Sequence, residues 1–435
     1  MEQTTNQQPG LRRELGTPGA VLMGLGSILG TGAFVSIGIA AGITGPSVIL
    51  ATALAALVAT CNALNSAQLA AAHPVSGGAY EYGYRLLHPA AGFTAGWMFL
   101  CAKTASAATA ALGFAGYTLH ALGVETHGAL VGLALAAVIV LTALVAGGIR
   151  RSNTANTAIV LFTIGALLAF ILGVLPAGVR QGGANLTPFF GGEDGAGTFL
   201  QATALMFVAF TGYGRIATLG EEVHNPRHTI PRAIIITLVI SALLYIGLAL
   251  AAVAAAGAGA LGTLTEVRAA APLEAVADAY AGAWVAWIVG LGAVTAMLGV
   301  LLNLILGLSR VLLAMARRGD APRFLATIGA DSGAPAASVW AVGIAIAALA
   351  FLGDVKTTWS FSAFTVLVYY AINNLAALRL PAEERLYPRF WAAGGLAACL
   401  FLAFWVDVQV WMAGLALIGA GLAGHWTRRW LRPAA

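Results

Sequence analysis

Long apolar runs, separated by short polar links, recur from one end of the chain to the other. They lie at about 17–42, 45–72, 89–122, 129–149, 153–175, 198–221, 232–256, 283–316, 336–352, 358–380, 390–406 and 408–424. A helix needs about 20 mainly apolar residues to cross a bilayer core, so the pattern predicts twelve membrane-spanning helices. The links from His73 to Arg85 and from Arg317 to Pro335 are too polar to cross. The link before Ala281 carries a surface helix over residues 272–280.

Two runs are interrupted. The first contains Gly24-Leu-Gly-Ser-Ile-Leu-Gly-Thr-Gly32, and the sixth contains Ala209-Phe-Thr-Gly-Tyr-Gly-Arg215. Glycine weakens a helix interior, and backbone freed inside hydrocarbon has no water to bond. A break of this kind is tolerated where it lines a cavity. The Gly26-x-x-x-Gly30 spacing also fits simple close packing of helices, but a second interruption favours paired breaks. Five spans separate the two, an odd number, so matching helices of two five-span units would cross in opposite directions. That is the inverted-repeat plan of secondary transporters.

Composition agrees with the run pattern. Hydrophobic residues make up 60% of the 435 residues and charged residues 9%, and mean hydropathy is +0.87. Soluble domains carry about 25% charged residues, so the chain reads as one membrane domain and not as several soluble ones. With the N-terminus inside, seventeen of the 22 basic residues fall on cytoplasmic segments and three outside, at Arg180, Arg268 and Lys356. This positive-inside bias accounts for the net charge of +5 without any nucleic-acid partner. It places both termini in the cytoplasm and the chain in the inner (plasma) membrane. The polar start, Met1 to Arg13, has no signal-peptide core, so the first span is expected to remain as an anchor.

Several chemistries are not signalled. The three cysteines, Cys61, Cys101 and Cys399, lie inside apolar runs without metal or disulfide spacing, and the seven histidines show no ligand spacing. No glycine-rich loop leads into Lys-Ser or Lys-Thr, so ATP is not implied. No nucleophile–base pair stands out, so an enzyme is not expected. No cofactor or metal is called for.

Five segments, in order, resemble the amino acid–polyamine–organocation transporters. They are Gly26-Ser-Ile-Leu-Gly-Thr-Gly-Ala-Phe34, Pro74-Val-Ser-Gly-Gly-Ala-Tyr-Glu-Tyr82, Phe207-Val-Ala-Phe-Thr-Gly-Tyr213, Glu221-Glu-Val-His-Asn-Pro-Arg-His-Thr-Ile-Pro-Arg-Ala233 and Ser309-Arg-Val-Leu-Leu-Ala-Met-Ala-Arg317. The resemblance implies an all-α polytopic membrane protein built as a five-plus-five inverted repeat with discontinuous helices 1 and 6. Two helices are added at the C-terminal end. The halves would cover about 17–177 and 197–380, and the added helices about 390–425. It also implies transport of amino acids or amines. Two positions depart from the family pattern. Relatives often carry an acid just after the span 6 aromatic, where this chain has Gly214 and then Arg215. Proton-coupled relatives often carry a lysine in span 5, where this chain has Thr163.

A zwitterionic substrate needs donors for its carboxylate and acceptors for its ammonium. Half-helix N-termini offer the first, and exposed carbonyls at half-helix C-termini offer the second. The carboxylate is assigned to the backbone of Thr31 and Gly32 with the Thr31 hydroxyl. The ammonium is assigned to carbonyls near Ser27 and Ile28 and near Val208 and Thr211, and the glycines Gly30 and Gly212 are counted with these substrate-binding residues. Phe210 and Tyr213 flank the second break and can close over a substrate. Lys103 lies well inside span 3. A lysine at membrane depth costs roughly 2.5–3.5 kcal/mol on insertion scales, which marks it as a candidate proton-coupling or cation-replacing group. Arg215 is expected to brace the second break against backbone carbonyls, the alternative being contact with an anionic substrate group, and Glu221 and Glu222 to anchor a gate or link loop. The functional expectation is a secondary amino acid transporter working by alternating access, proton-coupled or by exchange. An amine or polyamine carrier of the same fold and, from a different class, a passive channel are the alternatives. The expected partners are the small-molecule substrate and the lipid bilayer; nothing in the sequence marks an oligomer.

Overall fold

The computed structural model describes residues 15–74, 77–124, 126–148, 153–190, 195–217, 223–266, 271–329, 333–352 and 354–430. The apolar runs form helices, as hydrocarbon requires of a backbone that must bond to itself. In chain order they are α1 (Thr17–Ile28), α2 (Ile37–Thr44), α3 (Val48–Ala72), α4 (Ala79–Leu86), α5 (Pro89–Ala121) and α6 (His127–Ala146). Then come α7 (Asn153–Asn185), α8 (Gly195–Phe210), α9 (Gly214–Ala217), α10 (Pro226–Ala256), α11 (Ala258–Glu266) and α12 (Pro272–Ala281). The last five are α13 (Ala283–Arg318), α14 (Ala336–Leu352), α15 (Val355–Leu378), α16 (Arg389–Ala403) and α17 (Val408–Trp430).

Among the described residues, nine helical runs are long and apolar enough to cross a membrane, with three shorter apolar helices at Thr17–Ile28, Ala336–Leu352 and Arg389–Ala403. The chain is therefore a polytopic, multi-pass membrane protein. α1 is short because the first break ends it; the apolar chain beyond resumes as the continuous run Gly32–Ala72. α7 departs from the sequence pattern, which ends a span near residue 175 and predicts a loop. The helix instead passes through Pro176 and reaches Asn185. A proline removes only one N–H, and the far end of α7 is tied down by Asn185 Nδ2 donating to the Ala254 carbonyl at 2.9 Å.

The helices pack in a regular scheme. α3 packs on α10, α5 on α13, and α6 on α14. α1 packs on α10, while α8 packs on α3. α5 packs on α15, while α13 packs on α7. The short α4 lies on α5 and α15, while the short α12 lies on α13 and α7. α16 and α17 attach to the outside of this body, on α3, α15 and α5.

Buried polar groups set how α3, α15 and α16 meet. Asn374 Nδ2 donates to Asn62 Oδ1 at 2.6 Å, and Asn65 Nδ2 donates to Asn374 Oδ1 at 2.8 Å. Gln68 Nε2 donates to Asn65 Oδ1 at 3.0 Å, and Gln68 Oε1 accepts from the N–H groups of Leu386 and Tyr387. All four amides are buried. Isolated amides at this depth are costly, but a fully bonded network fixes register. A second cluster joins α4, the end of α13 and α17. Asp320 accepts from the Tyr80 hydroxyl at 2.7 Å and lies 3.1 Å from His425 Nδ1, while Arg318 donates to both oxygens of Glu81 at 2.7 Å.

On α12, Glu274 is buried against α13, at a place where Gly290 leaves room for the carboxylate; a Cβ on Gly290 would come within 2.8 Å of Glu274 Oε2. Burial, with a smaller push from Asp278, raises its carboxyl from the usual 4.5 to about 7.

Replacing Asn374 by Leu leaves the Asn62 and Asn65 amides short of a partner. It should destabilise the detergent-solubilised protein by about 1–3 kcal/mol, read as a lower melting temperature. The Glu274 carboxyl is held neutral by the fold. Its contribution is fully present below about pH 4.5 and is lost as the pH rises through about 7. Melting temperature should fall across that window in the wild type and fall less in Glu274→Gln.

Candidate functional site

The two interruptions take different forms. At the first, α1 stops at Ile28 and Leu29 turns out of the helix, with ψ at 95°. Gly30 then accepts from the N–H groups of Ala33 at 2.9 Å and Phe34 at 3.2 Å. Residues Gly32–Ser36 form a wide π-helical turn before α2, a feature that recurs at functional sites. At the second, the chain is tightened: Thr211–Tyr213 form a 3-10 turn between α8 and α9.

The breaks lie against each other. A Cβ on Gly212 would sit 2.3 Å from the Ser27 carbonyl oxygen, and one on Gly32 would sit 2.7 Å from the Ala209 Cβ. Only glycine allows two backbones to approach this closely. Tyr245 of α10 joins the pair, its hydroxyl donating to the Ile28 carbonyl at 2.7 Å with the Ala209 carbonyl at 3.5 Å.

A cavity of about 500 Å³ opens beside this crossing, within the usual range for small-molecule sites. It runs along α13 from Val300 to Arg317. Of the residues singled out in the sequence, Ser27, Ile28, Thr31, Gly32, Val208, Thr211, Gly212, Lys103 and Arg215 line it. Gly30, Phe210 and Tyr213 are not part of its wall. Gly30 lies under Val300, Phe210 packs on the Tyr245 ring at 5.1 Å, and Tyr213 on the Tyr370 ring at 5.5 Å. Glu221 and Glu222 lie outside the described residues.

Lys103 projects from the middle of α5, 8% exposed, and its ammonium donates to Thr211 Oγ1 at 2.7 Å. Thr211 Oγ1 in turn donates to the Val208 carbonyl at 2.8 Å, and the Tyr370 hydroxyl donates to the Thr211 carbonyl at 3.3 Å. Trp359 covers the same cavity, its indole N–H donating to the Leu205 carbonyl at 3.1 Å. Thr163 is buried in α7 with its hydroxyl donating to the Ile159 carbonyl at 2.8 Å.

Four contributors escape the sequence reading: Tyr245, Asn303, Trp359 and Tyr370. Asn303 Nδ2 donates to Ser27 Oγ at 3.3 Å and to the Gly26 carbonyl at 3.4 Å. One signal was available for two of them. Tyr245 is the single tyrosine of α10 and Asn303 the single asparagine of α13, and a polar group in the middle of a span needs a partner.

Two interrupted helices crossing beside a buried cavity, in a polytopic membrane bundle, define a membrane transport protein. Comparison with known proteins agrees. The amino acid permease family model matches residues 15–419, and the chain belongs to that family, one of transporters and not of enzymes. It is 41% identical over 420 residues to an uncharacterized transporter of Mycobacterium tuberculosis (strain ATCC 25618 / H37Rv), covering 96% of this chain and 92% of the relative. It is 29% identical to a branched-chain amino acid permease of Bacillus subtilis (strain 168), covering 95% and 93%. It is 31% identical to the cationic amino acid transporter 4 of Homo sapiens, covering 86% of this chain and 61% of that protein.

The close crossing gives a direct test. Gly212→Ala forces a methyl group against the Ser27 carbonyl and should destabilise the fold by about 1–3 kcal/mol. The melting temperature should drop, whereas Gly183→Ala, with no neighbour near its added Cβ, should leave it unchanged.

Proposed function

We propose that the chain is a secondary transporter that carries amino acids across the inner (plasma) membrane by alternating access. The observation that carries this reading is the cavity at the crossing of the two interrupted helices. A channel needs a continuous polar-lined pore, whereas two interrupted helices meeting at one cavity are the plan of a carrier.

The proposed architecture is twelve spans, with inverted halves at about 17–177 and 197–380 and two added helices at about 390–425. Helix packing supports it. Pair α1 and α2 with α8 and α9, α3 with α10, α5 with α13, α6 with α14, and α7 with α15. Exchanging the halves turns α1 on α10 into α8 on α3, and α5 on α15 into α13 on α7. It leaves the α3–α10, α5–α13 and α6–α14 pairs mapped on themselves, and it sends α4 to α12. With both termini cytoplasmic, as the basic residues favour, the cavity end at Arg310 and Arg317 faces the cytoplasm. The other side is filled by Phe34, whose carbonyl accepts from the Tyr117 hydroxyl at 2.8 Å, and by α12. The molecule is then inward-facing.

In this reading Thr31 and Gly32 hold the substrate at the start of the second half-helix. Lys103 is the coupling group. Its ammonium ties α5 to Thr211 in one state, and proton loss releases the tie and shifts the equilibrium between states. Arg215 braces the second break.

Proteoliposomes loaded with the purified protein should take up amino acid saturably and exchange it against unlabelled substrate. Non-saturating flux without exchange rejects the reading. An imposed pH gradient should drive uptake in the wild type, and uptake by Lys103→Ala should lose its response to the gradient. A variant that keeps the wild-type response removes Lys103 from coupling.

A further inference from the structure

The acceptors that a substrate ammonium would need at this site are already in use. The Ile28 carbonyl accepts from the Tyr245 hydroxyl, the Val208 carbonyl from the Thr211 hydroxyl, and the Thr211 carbonyl from the Tyr370 hydroxyl. The Ser27 carbonyl is covered by the Gly212 backbone. The Thr211 hydroxyl, the side-chain acceptor of the second break that lines the cavity, takes the ammonium of Lys103. The protein has thus put its own tethered cation where a substrate's cation was expected.

Each carbonyl keeps a second lone pair, so the wall is not closed to a donor. But any ammonium arriving there while Lys103 is protonated approaches a second, tethered ammonium. Like charges in a site shielded from water repel strongly. Donors, by contrast, are in surplus. Lys103 has three N–H groups, and the hydrogen bonds above use one. Among the described residues it has no carboxylate within ion-pair distance. The half-helix that begins at Thr31 and Gly32 adds backbone N–H groups and the positive end of a dipole. Further along the same cavity stand Arg310 and Arg317, and no described wall residue is acidic. Arginines at a cytoplasmic helix end have their own topological reason; here they also bias the local field toward anions. A buried cation without a counter-charge is costly, and a substrate carboxylate supplies that counter-charge when it binds.

We propose that the substrate of this cavity is a small carboxylate of net negative charge, with Lys103 as the residue that selects it over neutral and cationic amino acids. The inference rests on the reading of the cavity as the substrate site. Two sources share this chemistry: an acidic amino acid, whose second carboxylate pairs with Lys103, and a carboxylate that has no amine. With a substrate of net charge −1 the protonated lysine forms a neutral pair, which is cheaper to enclose than either charge alone.

The test is a ligand-dependent thermal-shift titration on the full-length chain in detergent, repeated by scintillation proximity binding. The probes are L-glutamate and L-aspartate, succinate and pyruvate, L-leucine and L-alanine, and L-lysine. Tightest binding within the first two groups supports the proposal, and the group that binds tighter identifies the source. Tightest binding of L-leucine, L-alanine or L-lysine overturns the proposal and leaves the cavity as the substrate site. No saturable binding by any probe to folded protein overturns both. In Lys103→Gln the ratio of anion to neutral amino acid affinity should fall at least ten-fold. An unchanged ratio in a folded variant overturns the role of Lys103. Should that variant not fold, the wild-type panel still decides the charge of the substrate.

Discussion

A helix cannot stop inside a membrane unless something else bonds its loose ends. This requirement shapes the centre of the molecule more than any other. The first break frees the Ile28 carbonyl, and Tyr245 reaches from α10 to bond it. The second break frees the Val208 and Thr211 carbonyls, and the Thr211 hydroxyl and Tyr370 bond those. Two of the three repairs come from other parts of the bundle, α10 and α15, and one from the break's own Thr211. The breaks are therefore held by the scaffold helices as well as by local turn chemistry. Disturbing a scaffold helix should reach the site even when no lining residue changes.

The same requirement explains what the sequence could and could not reveal. The apolar runs and the two glycine-rich interruptions were legible because composition alone makes them costly in hydrocarbon. Lys103 was legible for the same reason. The partners that repair the breaks were not, because pairing of Tyr245 with Ile28 depends on three-dimensional packing across more than two hundred residues of chain. The expectation that Phe210 and Tyr213 flank the break was right about position along the chain. Their rings turn into the packing around Tyr245 and Tyr370 instead of the cavity, and periodicity around a broken helix gives no way to foresee that. The Gly-rich loop expected after residue 175 begins later, because α7 carries on through Pro176, which costs a single backbone hydrogen bond, to Asn185.

The scaffold carries its own polar chemistry, placed away from the cavity. The amide network around Asn374 fastens α16 to α3 and α15, and the cluster around Asp320 fastens α17 to α4 and the end of α13. Both bind the added helices to elements of the two halves, so these helices act as outer buttresses. They restrain α3, α5 and α15 while making no contribution to the wall of the cavity.

The contact of Gly212 with the Ser27 carbonyl has a mechanical consequence. Two rods pressed together at one point slide poorly but pivot well, so in the proposed transport cycle the crossing would serve as a fulcrum. α1 extends from it for 12 residues, a lever arm of about 18 Å at 1.5 Å per residue. A tilt of about 10° at the fulcrum carries the far end through about 3 Å, comparable to the width of a water molecule. Under the proposed alternating-access reading, such a tilt would move the end of α1 at the mouth of the cavity while the pivot itself stayed almost stationary.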